Sequence, residues 1–166
     1  MIHHKSSFIP SSQSGRVVPV CQASLSTTGQ ESVGKKTVLI TGGNTGIGYE
    51  TAKDLLRQGH DVILGCRDEN KGKSAKARLE QGNVGQKGGV VDLAVFDLAD
   101  TESVRDYTKK ALDEGRALDV LLNNAGVMAC PLMRTSQGFE QQIGTHYHHS
   151  CSCLFYHYTY PSSTYI

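Results

Sequence analysis

Between residues 35 and 122 the chain alternates short apolar runs with segments whose apolar residues recur at helical spacing. The runs are Lys35 to Ile40 (apolar and β-branched toward its end), Asp61 to Cys66, Val90 to Phe96 and Leu118 to Leu122. Each has the length and composition of a strand buried on both faces. Three segments between them read as helices. From Tyr49 to Arg57 the spacing puts Ile47, Thr51, Ala52, Leu55 and Leu56 on one face, and Gly59 stops the helix. Residues 69–81 set Ala75, Ala77 and Leu79 against Lys71, Lys73, Lys76 and Arg78, a mostly wet helix whose charges are a solvated face. Glu102 to Glu114 turns Val104, Tyr107, Thr108, Ala111 and Leu112 inward and ends at Gly115. Gly82 to Gly89 is a loop. Strand, helix, strand within about thirty residues is a βαβ unit. The expected class is therefore α/β: a Rossmann-type doubly wound parallel sheet, N-terminal half only, with strand order 3-2-1-4.

The first run leads directly into Thr41-Gly42-Gly43-Asn44-Thr45-Gly46-Ile47-Gly48 and then into a helix. Gly42 lets the chain leave the strand in a tight turn, Gly46 keeps a side chain out of an approaching pyrophosphate's way, and Gly48 permits close packing of the helix. The helix start offers free N–H groups and a partial positive charge to phosphates. A ligand-free glycine turn is the plainer alternative, but the strand–turn–helix setting favours a dinucleotide site. The second run ends in Cys66-Arg67-Asp68. An acidic residue there suits the ribose 2′-hydroxyl of NAD, and a basic one suits the 2′-phosphate of NADP. The planar fork of Arg67 favours NADP, while Asp68 keeps NAD open as the less favoured cofactor. Asp97-Leu98 follows the third run, and the Asp97 carboxylate either accepts from an adenine amino group or caps the next helix. The fourth run finishes in Asn123-Asn124-Ala125-Gly126, whose small residues suit a flat nicotinamide ribose and whose amides can tie strand ends together.

Composition changes the picture at both ends. A net charge of +1 gives no electrostatic case for nucleic acid, and no run is long and apolar enough to span a bilayer. Five cysteines, an odd number with no regular spacing, argue against a disulfide framework. Residues 1–34 form a leader; its first 30 residues hold no Asp or Glu and many serines, which is the composition of a transit peptide. The expected destination is the chloroplast, with a cytoplasmic protein bearing a disordered extension as the alternative.

The glycine turn, Cys66-Arg67-Asp68, Asp97-Leu98 and Asn123-Asn124-Ala125-Gly126 together resemble the short-chain dehydrogenases/reductases. Val127-Met128-Ala129-Cys130-Pro131 with Gly138-Phe139-Glu140-Gln141-Gln142 resembles the retinol-dehydrogenase-like branch, with protochlorophyllide reductases as more distant relatives. The resemblance covers residues 35–145. It implies an oxidoreductase that exchanges hydride between NADP(H) and a small-molecule carbonyl or alcohol. By motif match, Gly42, Asn44, Thr45, Gly46 and Ile47 would cradle the pyrophosphate, Arg67 would meet the 2′-phosphate, and Asp97 and Leu98 the adenine. Asn124, Ala125 and Gly126 would lie on the nicotinamide side.

The resemblance stops in mid-motif. Where the family has its catalytic asparagine this chain has His146. The family's later serine and Tyr-x-x-x-Lys pair are not met in the tail. The lysines after Tyr107 fall at the wrong spacing, so the chain is expected to hold no such pair and no catalytic residue. Residues 146–166 lack Gly, Ala, Val, Asp and Glu, so no codon there begins with G. An out-of-frame or intron-encoded tail, without structure, is the expectation; it would leave the fourth strand an exposed apolar edge and remove the usual family dimer interface. His-His and Cys-x-Cys spacings in the tail are too close for an ordinary zinc site, so no metal is expected. Two readings remain: a dehydrogenase that lacks its proton-transfer residues in this chain, and a non-catalytic dinucleotide-binding remnant or binding module.

Overall fold

The computed structural model describes residues 34–82, 88–146 and 164–165. All lie in one compact unit, Gly34–Ile166. The leader falls outside the described residues, as does most of the tail.

Strands β1 (Thr37–Thr41), β2 (Asp61–Cys66), β3 (Val91–Val95), β4 (Val120–Leu122) and β5 (Thr164–Tyr165) form one parallel sheet in the order β3-β2-β1-β4-β5. Helices α1 (Gly46–Gln58), α2 (Glu69–Gln81) and α3 (Thr101–Asp113) connect them, and residues 141–146 are helical. Successive side chains of a strand point to opposite faces, and the core divides accordingly. Val38, Ile40, Val62 and Leu64 face α1 and α2 through Ala52, Leu56, Ala75 and Leu79. Leu39, Ile63, Ala94 and Leu121 face α3 through Val104 and Ala111, with Phe96 stacked on Tyr107 at 4.9 Å. The result is the expected three-layer α/β arrangement with strand order 3-2-1-4.

Two expectations are corrected. Ile47 is not on the inner face of α1 but 81% exposed; Gly48, Ala52 and Leu56 are the buried positions. The helix starts three residues earlier than Tyr49, and at 3.6 residues per turn Ile47 falls on the side opposite Ala52 and Leu56. Secondly, β4 is not left as a bare edge. Thr164–Tyr165, from the stretch expected to be without structure, pairs in parallel with Val120 and Leu121. A row of open backbone groups beside a buried strand is a strong template for pairing.

At the opposite end of the sheet, Asp119 fastens the start of β4 to β1. Its Oδ2 accepts from Thr37 N–H at 2.8 Å and its Oδ1 pairs with Lys36 Nζ at 3.2 Å. The Thr37 N–H first, and Lys36 second, hold the carboxyl below its ordinary range. A depressed carboxyl stabilises the fold above the unfolded pKa and loses that contribution as pH falls through the folded one. Asp119→Ala is therefore expected to lower unfolding stability at neutral pH by about 1–2 kcal/mol. The gap from the unsubstituted chain should close in urea melts carried out below the ordinary aspartate range.

Candidate dinucleotide site

All strands run the same way, so the ends of β1, β2, β3 and β4 open on one edge of the sheet. α1 and α3 leave that edge toward opposite faces, and the crevice between them is where open α/β sheets take ligands. A cleft of about 440 Å³ lies there.

The floor of the cleft is set by a clip between β1 and β4. Thr41 is fully buried, and its Oγ1 accepts from Asn124 N–H and Ala125 N–H, both at 3.1 Å. The Asn124 amide donates to Thr41 O at 2.9 Å and to Gly42 O at 3.4 Å. Asn124 thus ties strand ends together, as its amide chemistry allows. Asn124 and Ala125 also crowd two of the glycines. A Cβ at Gly48 would run into Asn124 Nδ2 and lie 2.8 Å from Gly42 O, and one at Gly42 would lie 3.0 Å from Ala125 Cα. Gly46 differs: its φ is +58°, yet a Cβ there would meet nothing within 4 Å. That open space lies at the start of α1.

α1 begins without a side-chain cap. Its N-cap Thr45 makes no capping hydrogen bond, and its first turn carries no acidic residue. Helices α2 and α3 are capped, α2 by Asp68 accepting from Lys71 N–H at 3.0 Å and α3 by Asp100 accepting from Glu102 N–H at 3.1 Å. Asp68 is thereby engaged in capping, which weakens its case as a ribose ligand. The two roles weighed for Asp97 also separate. Capping belongs to Asp100, and Asp97 Oδ1 accepts from Ala99 N–H at 2.9 Å in the turn before it. Arg67 is 70% exposed along its side chain, with only a 3.9 Å approach to Asp97 Oδ2.

The structure brings Gly42, Asn44, Thr45, Ile47, Arg67, Asp97, Leu98, Asn124, Ala125 and Gly126 to the walls of this one cleft. Gly46 is not on the wall; it shapes the turn behind. The residues that sequence reasoning missed are Lys71, Gln141 and Thr145, which line the same cleft. Lys71 had a signal, since it stands one helical turn beyond Arg67, but it was absorbed into the charged face of α2. Lys71 makes no ion pair among the described residues, and Asn44, Thr45, Ser74 and Arg78 continue from it as a second groove. Cys66, also on the wall, has its thiol pushed up by burial and then by Asp68. His146 stands against the loop after β4, its Nε2 2.9 Å from Val127 O and 3.2 Å from Val127 N.

A Tyr-x-x-x-Lys spacing does occur once, at Tyr49 and Lys53, contrary to expectation. It lies on α1. Tyr49 carries the Arg78 guanidinium 4.7 Å over its ring, and Lys53 pairs with Glu50 at 3.2 Å. Neither side chain lines the cleft, so the spacing here serves packing and surface pairing.

The short chain dehydrogenase family matches residues 36–148. The chain belongs to that family. Mouse retinol dehydrogenase 11 is 48% identical over 112 residues, covering 68% of this chain and 34% of that protein. This chain thus spans about a third of the length of the curated relatives it matches. A short-chain dehydrogenase from Sphingobium yanoikuyae in complex with NADPH is 26% identical, with a TM-score of 0.58 over 78% of this chain and 51% of that one. An alcohol dehydrogenase from Thermococcus sibiricus complexed with 5-hydroxy-NADP is 27% identical, with a TM-score of 0.59 over 74% of this chain and 51% of that one. The likeness to retinol dehydrogenases agrees with the resemblance carried by residues 127–131 and 138–142.

The geometry of the clip yields a test by double-mutant cycle. Gly48→Ala and Asn124→Ala share a clash and should couple by more than about 0.5 kcal/mol in urea unfolding. Gly46→Ala should cost about 1–2 kcal/mol through its left-handed backbone alone. Combined with Asn124→Ala it should be additive.

Proposed function

We propose that this chain binds NADP(H) in the cleft at the strand ends, as the nucleotide-binding part of a short-chain oxidoreductase acting on a carbonyl or alcohol. The observation that carries the reading is the start of α1, without a side-chain cap, opening on the same cleft as two cations, Arg67 and Lys71. Free N–H groups at a helix N-terminus suit a pyrophosphate. Arg67 and Lys71 stand just before and inside the first turn of α2, where a cation is electrostatically disfavoured unless an anion is bound. A 2′-phosphate supplies that anion, which favours NADP over NAD. Bound nicotinamide would donate or accept hydride; the chain's own part is to hold the phosphates, orient the ribose past Ala125 and Gly126, and keep β1 and β4 clipped.

The same reading holds that this chain moves no proton. His146 occupies the position of the family's asparagine, and its one Tyr-x-x-x-Lys lies outside the cleft. Titration calorimetry of the 166-residue chain should show NADP⁺ binding more tightly than NAD⁺. Arg67→Ala should weaken NADP⁺ by about 1.5–3 kcal/mol and leave NAD⁺ nearly unchanged. No oxidation of NADPH should follow with retinal or small aldehydes. Equal affinity for the two cofactors would overturn the 2′-phosphate assignment, and turnover would overturn the claim that the chain lacks a proton donor.

The leader, serine-rich and without acid over its first 30 residues, supports a chloroplast destination on composition alone. Residues 1–34 fused to a fluorescent protein should enter plastids; diffuse cytoplasmic signal would reverse that assignment.

A further inference from the structure

Gln141 is 9% exposed and Thr145, one helical turn later, 6% exposed; both side chains line the cleft. Gln141 Nε2 donates to Thr145 Oγ1 at 3.4 Å, and the Gln141 backbone N–H donates to Met133 O at 2.9 Å. The amide oxygen of Gln141 accepts no hydrogen bond among the described residues. A buried amide oxygen without a donor is unfavourable in a folded chain and points to a ligand that supplies one.

The segment before Gln141 brings this residue toward the end of β3. Ser136 Oγ bonds Ala99 O at 3.4 Å and Gln137 Nε2 donates to Asp100 Oδ1 at 3.2 Å, so this segment lies over the loop that follows β3. Asp97 and Leu98 leave the sheet in the same loop. Asp97, the acceptor first expected for a base amino group, has one carboxylate oxygen on Ala99 N–H and the other facing Arg67 at 3.9 Å.

We propose that Gln141, steadied by Thr145, reads the purine of the bound dinucleotide and selects a 6-amino base over a 6-oxo base. The proposal rests on the dinucleotide reading of the cleft. With Nε2 held by Thr145, the amide presents its oxygen, which accepts from the exocyclic amino group of adenine. A 6-oxo purine would set a second acceptor against it. Recognition of adenine by a side-chain amide is ordinary hydrogen-bond chemistry.

The test is titration calorimetry of the full chain with NADP⁺ and with its hypoxanthine analogue, beside Gln141→Leu and Thr145→Val. The unsubstituted chain should prefer NADP⁺, and Gln141→Leu should erase about tenfold of that preference. Thr145→Val, which frees the amide to turn over, should erase part of it. Thermal melts without ligand add a readout that separates binding from scaffolding: Gln141→Leu, which removes a buried amide, should melt no lower than the unsubstituted chain. A lowered melting point with unchanged base preference would assign Gln141 to scaffolding and overturn the proposal. So would equal affinity of the unsubstituted chain for both nucleotides, which leaves the dinucleotide reading intact. Failure of both nucleotides to bind would overturn that reading and this inference together.

Discussion

The hydrogen bonds between Thr41 and Asn124 are the constraint on which the site depends. They join the ends of two strands that are neighbours in space and far apart in sequence, at the place where the sheet changes winding direction. Below the clip the strands run together as core; above it the glycine turn and the loop after β4 part company and make the cleft. The amide of Asn124 fills the space beside α1, which is why Gly48 admits no Cβ, while Gly42 is held by its left-handed backbone, φ +65°, and by Ala125 close against it. Of the three glycines that signal a phosphate loop, Gly48 is therefore there for packing and Gly42 for a left-handed turn. Gly46 alone borders open space.

Helix capping supplies the electrostatic contrast. α2 and α3 satisfy their first N–H groups with aspartates of their own sequence, whereas α1 carries no side-chain cap. Arg67 and Lys71 stand at the positive end of α2, an arrangement that local helix electrostatics disfavours. A bound anion reconciles both features, and the membership of the chain in the short chain dehydrogenase family gives that anion a natural identity.

The edge beyond β4 shows how backbone hydrogen bonding competes with composition. The tail has none of the residue pattern of a buried parallel strand, yet Thr164–Tyr165 pairs with β4. Only two residues are involved, in register with Val120 and Leu121, and pairing there needs main-chain groups rather than side-chain burial.

Elements and strand order were legible in the sequence because their signals are local: apolar runs between turn residues, helical spacing, a glycine after a helix. β2 and α2 fall on the expected residues, and the other elements differ from expectation by one to three residues at one or both ends. Most of the cleft wall was legible too, because the motifs sit at the ends of parallel strands. What the tertiary structure decided is which groups those motifs leave available. Asp68 and Asp100 were taken by helix starts, Asp97 by a turn, the Asn124 amide by β1, and Tyr49 with Lys53 was turned away from the cleft. Gln141 and Thr145 were brought to it by a segment folded back over the loop after β3. Periodicity fixes which face a side chain takes along its own element. Whether its hydrogen-bonding capacity is already used depends on partners up to 84 residues away, and only the assembled sheet supplies them.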